Sequence, residues 1–259
     1  MTEPNAELKE VVENGSFERM GIHYRIQHIL MFSSFIILVL TGIPLKYATV
    51  GVSRMFMYLW GGLEMAGRVH RGAAVVMIFS AVYHLAYLLY RLVRNELSLE
   101  MLPTRKDVQD LYGMLRFFFG FTDERPRFDR YTYWEKFDYW AVFWGIAIMA
   151  GSGLILWFPV QTVTYLPVWV LGMAKVAHSD EALLAALAIF IWHFYNVHLR
   201  PDVFPMSWVW ITGRISRKEM KEWHPLEYER LLRQEQQSSL SSPLETGSPE
   251  TDSSVHHPG

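Results

Sequence analysis

With 259 residues, 51% hydrophobic and 15% aromatic, and a formal net charge of −2, the chain lacks the basic excess that draws a protein to nucleic acid. It contains no cysteine, which excludes a disulfide framework, a Cys-x-x-Cys-His attachment for c-type haem, and iron–sulfur clusters bound by its own thiolates. The average composition conceals segregation: uncharged runs extend from Ile29 to Leu45, Gly72 to Tyr90, Tyr139 to Ala174 and Ala182 to Leu199. Each is near the length that crosses hydrocarbon roughly 30 Å thick, so the pattern predicts an all-α integral membrane protein built as a four-transmembrane-helix bundle.

In chain order, residues 1–18 read as a polar N-terminal segment and 19–231 as the membrane domain with cytoplasmic amphipathic segments. Residues 232–259, rich in Ser, Pro, Glu and Gln, read as a disordered tail. The polar, acidic N-terminus and a long first apolar run without an Ala-x-Ala-like site predict an uncleaved first span. That span carries Arg25 and His28 at its entrance and Gly42, which allows close packing, before Pro44 ends or kinks it. The second span starts at His70, between Arg68 and Arg71, and holds His84 14 residues later. On a helix that spacing is about 21 Å of rise with the rings about 40° apart.

An amphipathic helix is expected from Asp107 to Phe119, lying at the membrane surface. The third uncharged run is interrupted by Pro159 and Pro167, so it reads as one span plus an apolar loop. That span has no histidine, and its Gly145, Gly151 and Gly153 suggest packing support. The fourth span carries His193 and His198, with His178 just before it. His178 and His193, 15 residues apart, are separated by about 22 Å of α-helical rise and about 60° around the axis.

Charge placement orients the bundle. The connector between the second and third spans carries Arg91, Arg94, Arg105, Lys106, Arg116, Arg125, Arg127, Arg130 and Lys136, and both termini are also flanked by basic residues. By the positive-inside rule this connector and both termini are cytoplasmic. His70 and His178 then fall on the periplasmic side, and His28, His84, His193 and His198 on the cytoplasmic side. Imidazoles projecting from facing helices can supply axial ligands to haem iron inside a bundle. His70 and His178 make one candidate pair, while His28, His84 and His198 compete to partner His193. A histidine-lined metal or proton transporter is an alternative of another class. It predicts acidic ligands inside the bundle, and the uncharged runs hold none.

Several pieces, taken in order, resemble the cytochrome b (gamma) subunit of respiratory formate dehydrogenase, in a superfamily with the cytochrome b subunits of nickel–iron hydrogenases. They are RIQH in the first span, GRVH opening the second, EKFDYW leading into the third, AHS before the fourth, WHFYNVH within it, and EWHPLEYER after it. The resemblance implies two b haems in a four-helix bundle of the bacterial inner membrane, with His70 and His178 as periplasmic ligands and His28 and His193 as the cytoplasmic pair. It implies an electron-transfer subunit that links menaquinone or ubiquinone at the cytoplasmic haem to a periplasmic redox subunit, either an iron–sulfur protein or a multihaem c-type cytochrome. His84 and His198 depart from the family's four-ligand pattern and leave open a third haem or an altered quinone site. Arg25, Arg68 and Arg71 are candidate propionate partners by charge and depth, the alternative being that they are simply the positive flank of the spans. A stand-alone membrane quinone oxidoreductase acting on a small oxidant is the nearer alternative.

Overall fold

The computed structural model describes residues 15–201 and 203–241; the segment before Gly15 and the tail beyond Ser241 lie outside the described residues. Strand β1 (Ser16–Glu18) leads into α1 (Ile22–Lys46), the short α2 (Gly51–Leu59) and α3 (Leu63–Val93). Helices α4 (Arg105–Phe118), α5 (Tyr133–Trp157) and α6 (Pro159–Tyr165) follow. Helix α7 (Trp169–Leu187) then continues into π-helical turns at Ala188–His193 and Tyr195–Leu199. The described residues end with α8 (Val209–Thr212), β2 (Arg214–Ser216), α9 (Arg217–Trp223) and α10 (Pro225–Ser241).

Four of these helices are long and apolar enough to cross a membrane: α1, α3, α5, and α7 with its extension to Leu199. Their surfaces are inverted relative to a water-soluble protein. Phe79, Trp144 and Ile191 are 61%, 61% and 67% exposed. Apart from Met77, the buried positions along the four helices are mostly small or polar, among them Ser34, Thr41, Ala66, Ala73, Ser80, Ser152, Ala174 and Ala186. Hydrocarbon offers no hydrophobic reward for burying a large side chain, so close approach through small residues and hydroxyls holds such helices together. The packing is pairwise, α1 along α3 and α5 along α7, with much thinner contact between the two hairpins.

Local signals place the ends. Thr104 and Asp107 open α4, the Asp107 carboxylate accepting from Thr104 N at 2.5 Å and Oγ1 at 2.8 Å. Thr132 and Glu135 open α5 in the same way, at 2.8 and 2.7 Å. Both are Thr-x-x-acid capping boxes, which satisfy amides that the helix itself cannot. The apolar loop expected after the third span is the short helix α6, which starts on Pro159. The fourth helix begins at Trp169, so His178 lies well inside it instead of just before it. At the other end α10 carries the chain past residue 231, the boundary expected for the tail, as far as Ser241.

A compact cap closes one end of the bundle. Strands β1 and β2 pair antiparallel with Phe17 opposite Ile215, and these two residues pack with Met220 into a buried apolar cluster. Beside it Glu227, 1% exposed, accepts from Arg19 Nη1 at 3.0 Å and from Arg130 Nη1 at 2.6 Å. Burial opposes the charge on Arg130, but Glu227 and Tyr131 outweigh it and hold the guanidinium above its ordinary value. His224 Nδ1 lies 2.7 Å from the Asp129 carbonyl, so it carries the proton, and Nε2 accepts from Arg19 Nη2 at 3.2 Å. Burial and the Arg19 charge both depress the His224 pKa, against a weaker upward pull from Glu135.

Glu227→Gln leaves two arginines facing a neutral amide, and is expected to cost about 3 kcal/mol of cap stability, read as a lower unfolding midpoint in detergent. His224 stays neutral in the folded cap while the unfolded imidazole takes up a proton near its ordinary value of 6.5. Cap stability is therefore full above that pH and falls as pH drops through it, because the unfolded state binds the extra proton. Limited proteolysis across that range is expected to accelerate on acidification, and His224→Gln to flatten the response.

Candidate cofactor site

The thin seam between the two hairpins is where the intramembrane histidines gather. His70 on α3 and His178 on α7 face each other across it, with ring centroids 6.3 Å apart and planes at 71°. Each ring is held from behind. Thr41 Oγ1 gives its proton to the Ile37 carbonyl at 2.7 Å and lies 2.9 Å from His70 Nδ1. Ser152 Oγ gives its proton to the Ile148 carbonyl at 2.7 Å and lies 3.1 Å from His178 Nδ1. With the hydroxyl protons spent on the backbone, each oxygen accepts from Nδ1–H, which leaves the Nε2 lone pair of each ring for another partner. A Cβ added at Gly42 would come within 3.1 Å of His70 Cε1, and one at Gly153 within 3.1 Å of His178 Cε1. The glycines are thus the floors on which the two imidazoles rest.

Imidazole nitrogens sit about 2.0–2.1 Å from a transition metal, so two rings bonded to one metal from opposite sides put their centroids roughly 6 Å apart. His70 and His178 already stand at that separation, from different hairpins. Among the described residues no group of three or more His, Asp or Glu forms a cluster that could hold a bare metal ion. A pair of imidazoles suits a metal that brings its remaining ligands with it, as a porphyrin does.

At the opposite end of the seam, His28 on α1 and His193 on the π turn after α7 lie close enough to interact electrostatically. His193 Nδ1 lies 3.2 Å from Asp138 Oδ2 on α5. Buried nitrogens without a hydrogen-bond partner include His28 Nδ1, Gln27 Nε2 and Arg25 Nε. Such orphans are costly. Three within four residues mark this end as built to meet hydrogen-bond acceptors. Trp210 packs at 6.1 Å from the His28 ring.

The other candidates fall elsewhere. Both nitrogens of His84 are engaged, Nδ1 with Gln27 Oε1 at 2.9 Å and Nε2 with the Tyr139 hydroxyl at 3.0 Å, so His84 ties α1, α3 and α5 together. His198 stacks on Phe194 with centroids 4.3 Å apart. Arg25 donates through Nη2 to the Ile211 carbonyl, anchoring α1 to α8. Arg71 lies over the Trp157 ring at 5.9 Å, and Arg68 pairs with Glu64 at 2.6 Å on the surface. The α-helical reckoning of about 60° between His178 and His193 does not hold, because π turns from Ala188 onward change the angular step. The expectation that the spans contain no acidic groups is also corrected. The helices outrun the uncharged runs and take in Asp138 and Glu181, the latter's Oε1 lying 3.1 Å from where a Gly145 Cβ would be. Helix α5, expected only to support packing, instead supplies Ser152, Asp138 and Tyr139 to three histidines. For Ser152 the available signal was its place between Gly151 and Gly153.

No family model matches the chain. It is similar to the cytochrome b556(Fdn) subunit of the nitrate-inducible formate dehydrogenase of Escherichia coli K12, with 22% identity over 201 residues, 78% of this chain and 85% of that protein. The same subunit from Escherichia coli O157:H7 and from Shigella flexneri matches to the same extent. The chain resembles a cytochrome b. The likeness accords with the formate dehydrogenase gamma-type motifs, and with four helices long enough to span, this cytochrome b-like chain is a multi-pass membrane protein.

Proposed function

We propose that the chain is a membrane dihaem cytochrome b subunit of a respiratory redox complex in the bacterial inner membrane. In this reading it moves electrons between a quinone, at the haem on the cytoplasmic side, and a periplasmic redox partner, at the haem on the other. The observation that carries it is the His70–His178 pair: with a 6.3 Å separation, glycine floors and engaged Nδ1 atoms, the two rings would hold one haem iron between them. Haem b bound between two histidines supplies reversible one-electron transfer.

The chain's own residues divide the remaining work. His28 and His193 would hold the second haem, and the orphaned donors Arg25 Nε and Gln27 Nε2 suit propionate or quinone oxygens at that end. Arg71 lies at the level of His70 and suits a propionate there. Thr41 and Ser152 fix the ring tautomers. The basic connector and flanks support a cytoplasmic side for both termini and the cap. The similarity to a formate dehydrogenase subunit supports a redox partner that works beside the chain; in this reading that partner is an iron–sulfur or multihaem c-type protein.

Purified in detergent, the native chain is expected to carry two non-covalent haems per polypeptide with a b-type reduced-minus-oxidised spectrum. His70→Ala and His178→Ala are each expected to remove the same one, and His28→Ala and His193→Ala the other. A folded chain that takes up no haem when haem is abundant would defeat the proposal. Gly42→Val and Gly153→Val push a side chain into the ring 3.1 Å away, and are expected to lower occupancy of the His70–His178 haem alone, as read by pyridine haemochrome content.

A further inference from the structure

The two ends of the seam differ in what stands behind the imidazoles. At His70 and His178 the partner of Nδ1 is a neutral hydroxyl whose own proton is committed to a backbone carbonyl. At His193 it is a carboxylate, Asp138 Oδ2, at 3.2 Å. Asp138 has no other hydrogen bond or ion pair among the described residues, and its side chain is 22% exposed. A carboxylate within a spanning helix is costly and rarely retained without a role. It sits on α5, in the hairpin of α5 and α7, and meets His193 at the last position of the π turn Ala188–His193. The π turn alters the direction of this ring relative to a continuous α-helix. Contact between Asp138 and His193 thus depends on an irregularity in one helix and an acid in the next.

We propose that Asp138 is the positioning residue of His193. Its carboxylate accepts the Nδ1–H, holds Nε2 as the metal-binding nitrogen and makes this ring a stronger electron donor than the hydroxyl-backed rings at the other end. Oxidised iron carries one more positive charge than reduced iron, and a more electron-rich ligand favours it. The carboxylate therefore lowers the midpoint potential of the haem that His28 and His193 hold. This rests on the dihaem reading above.

The test is an optical redox titration of the purified full chain, native and variant, with haem content measured on the same samples. Asp138→Asn keeps the shape and an acceptor oxygen but removes the charge. One of the two titrating components is expected to move to higher potential while the other stays, with two haems still bound. Asp138→Glu, which restores the charge, is expected to bring that component back towards the native value. Asp138→Ser installs at this end the hydroxyl used at the other, and is expected to give the same rise should the asparagine variant fail to accumulate. Asp138→Ala removes the acceptor and is expected to weaken binding of that haem about 10- to 100-fold, without loss of the other. Unmoved potentials in Asp138→Asn or Asp138→Ser with haem content intact, or equal movement of both components, would overturn the assignment. A native chain without haem, or a His193→Ala chain that keeps both haems, would instead bring down the reading on which it rests.

Discussion

An imidazole surrounded by hydrocarbon has to find partners for its nitrogens within the protein, because no water is there to take their place. Much of the bundle follows from that requirement. His70 and His178 are each backed by a hydroxyl on the other helix of their own hairpin, so one nitrogen is satisfied inside the hairpin and the other is turned to the seam. Thr41 and Ser152 can serve only because the helices run close, and they run close because Gly42 and Gly153 present no side chain where the rings lie. The hydroxyl, the glycine and the histidine form one unit, and it occurs twice.

The pairwise packing extends the same logic. Small residues draw α1 against α3 and α5 against α7, while bulky side chains are left at the lipid surface. Between the hairpins contact is thin. That is a cost in packing, which a flat cofactor clasped from both sides would recover. The histidines that bridge this seam come from different hairpins at both levels, so a cofactor bound there would also hold the halves of the bundle together.

The cap obeys different physics. There Phe17, Ile215 and Met220 form a buried apolar cluster, and Glu227 is enclosed by Arg19 and Arg130 from distant parts of the chain. Removing water from such a group is expensive, and the two guanidiniums together with neutral His224 offset the expense. The cap fixes the N-terminal strand, the start of α5 and the C-terminal helices in one arrangement, which sets the register of the helix ends bearing Arg25, His28 and Asp138.

Much of the fold was legible in the residues alone. Uncharged runs of spanning length and prolines at 159 and 167 are local signals, and hydrocarbon thickness and backbone hydrogen bonding read them directly. The two-level spacing of histidines was legible for the same reason, since one helix sets its own rise. What stood behind each histidine was not legible. His84 has the spacing of a ligand, yet both its nitrogens are taken by Gln27 and Tyr139, residues on other helices. The third span looks like inert support until Ser152 and Asp138 are seen against His178 and His193. The π turns that aim His193 leave no mark in composition. Periodicity along one helix reports the depth and face of a side chain. Its hydrogen-bond partners come from neighbouring helices whose rotation and register are set by packing, and only the assembled bundle decides those.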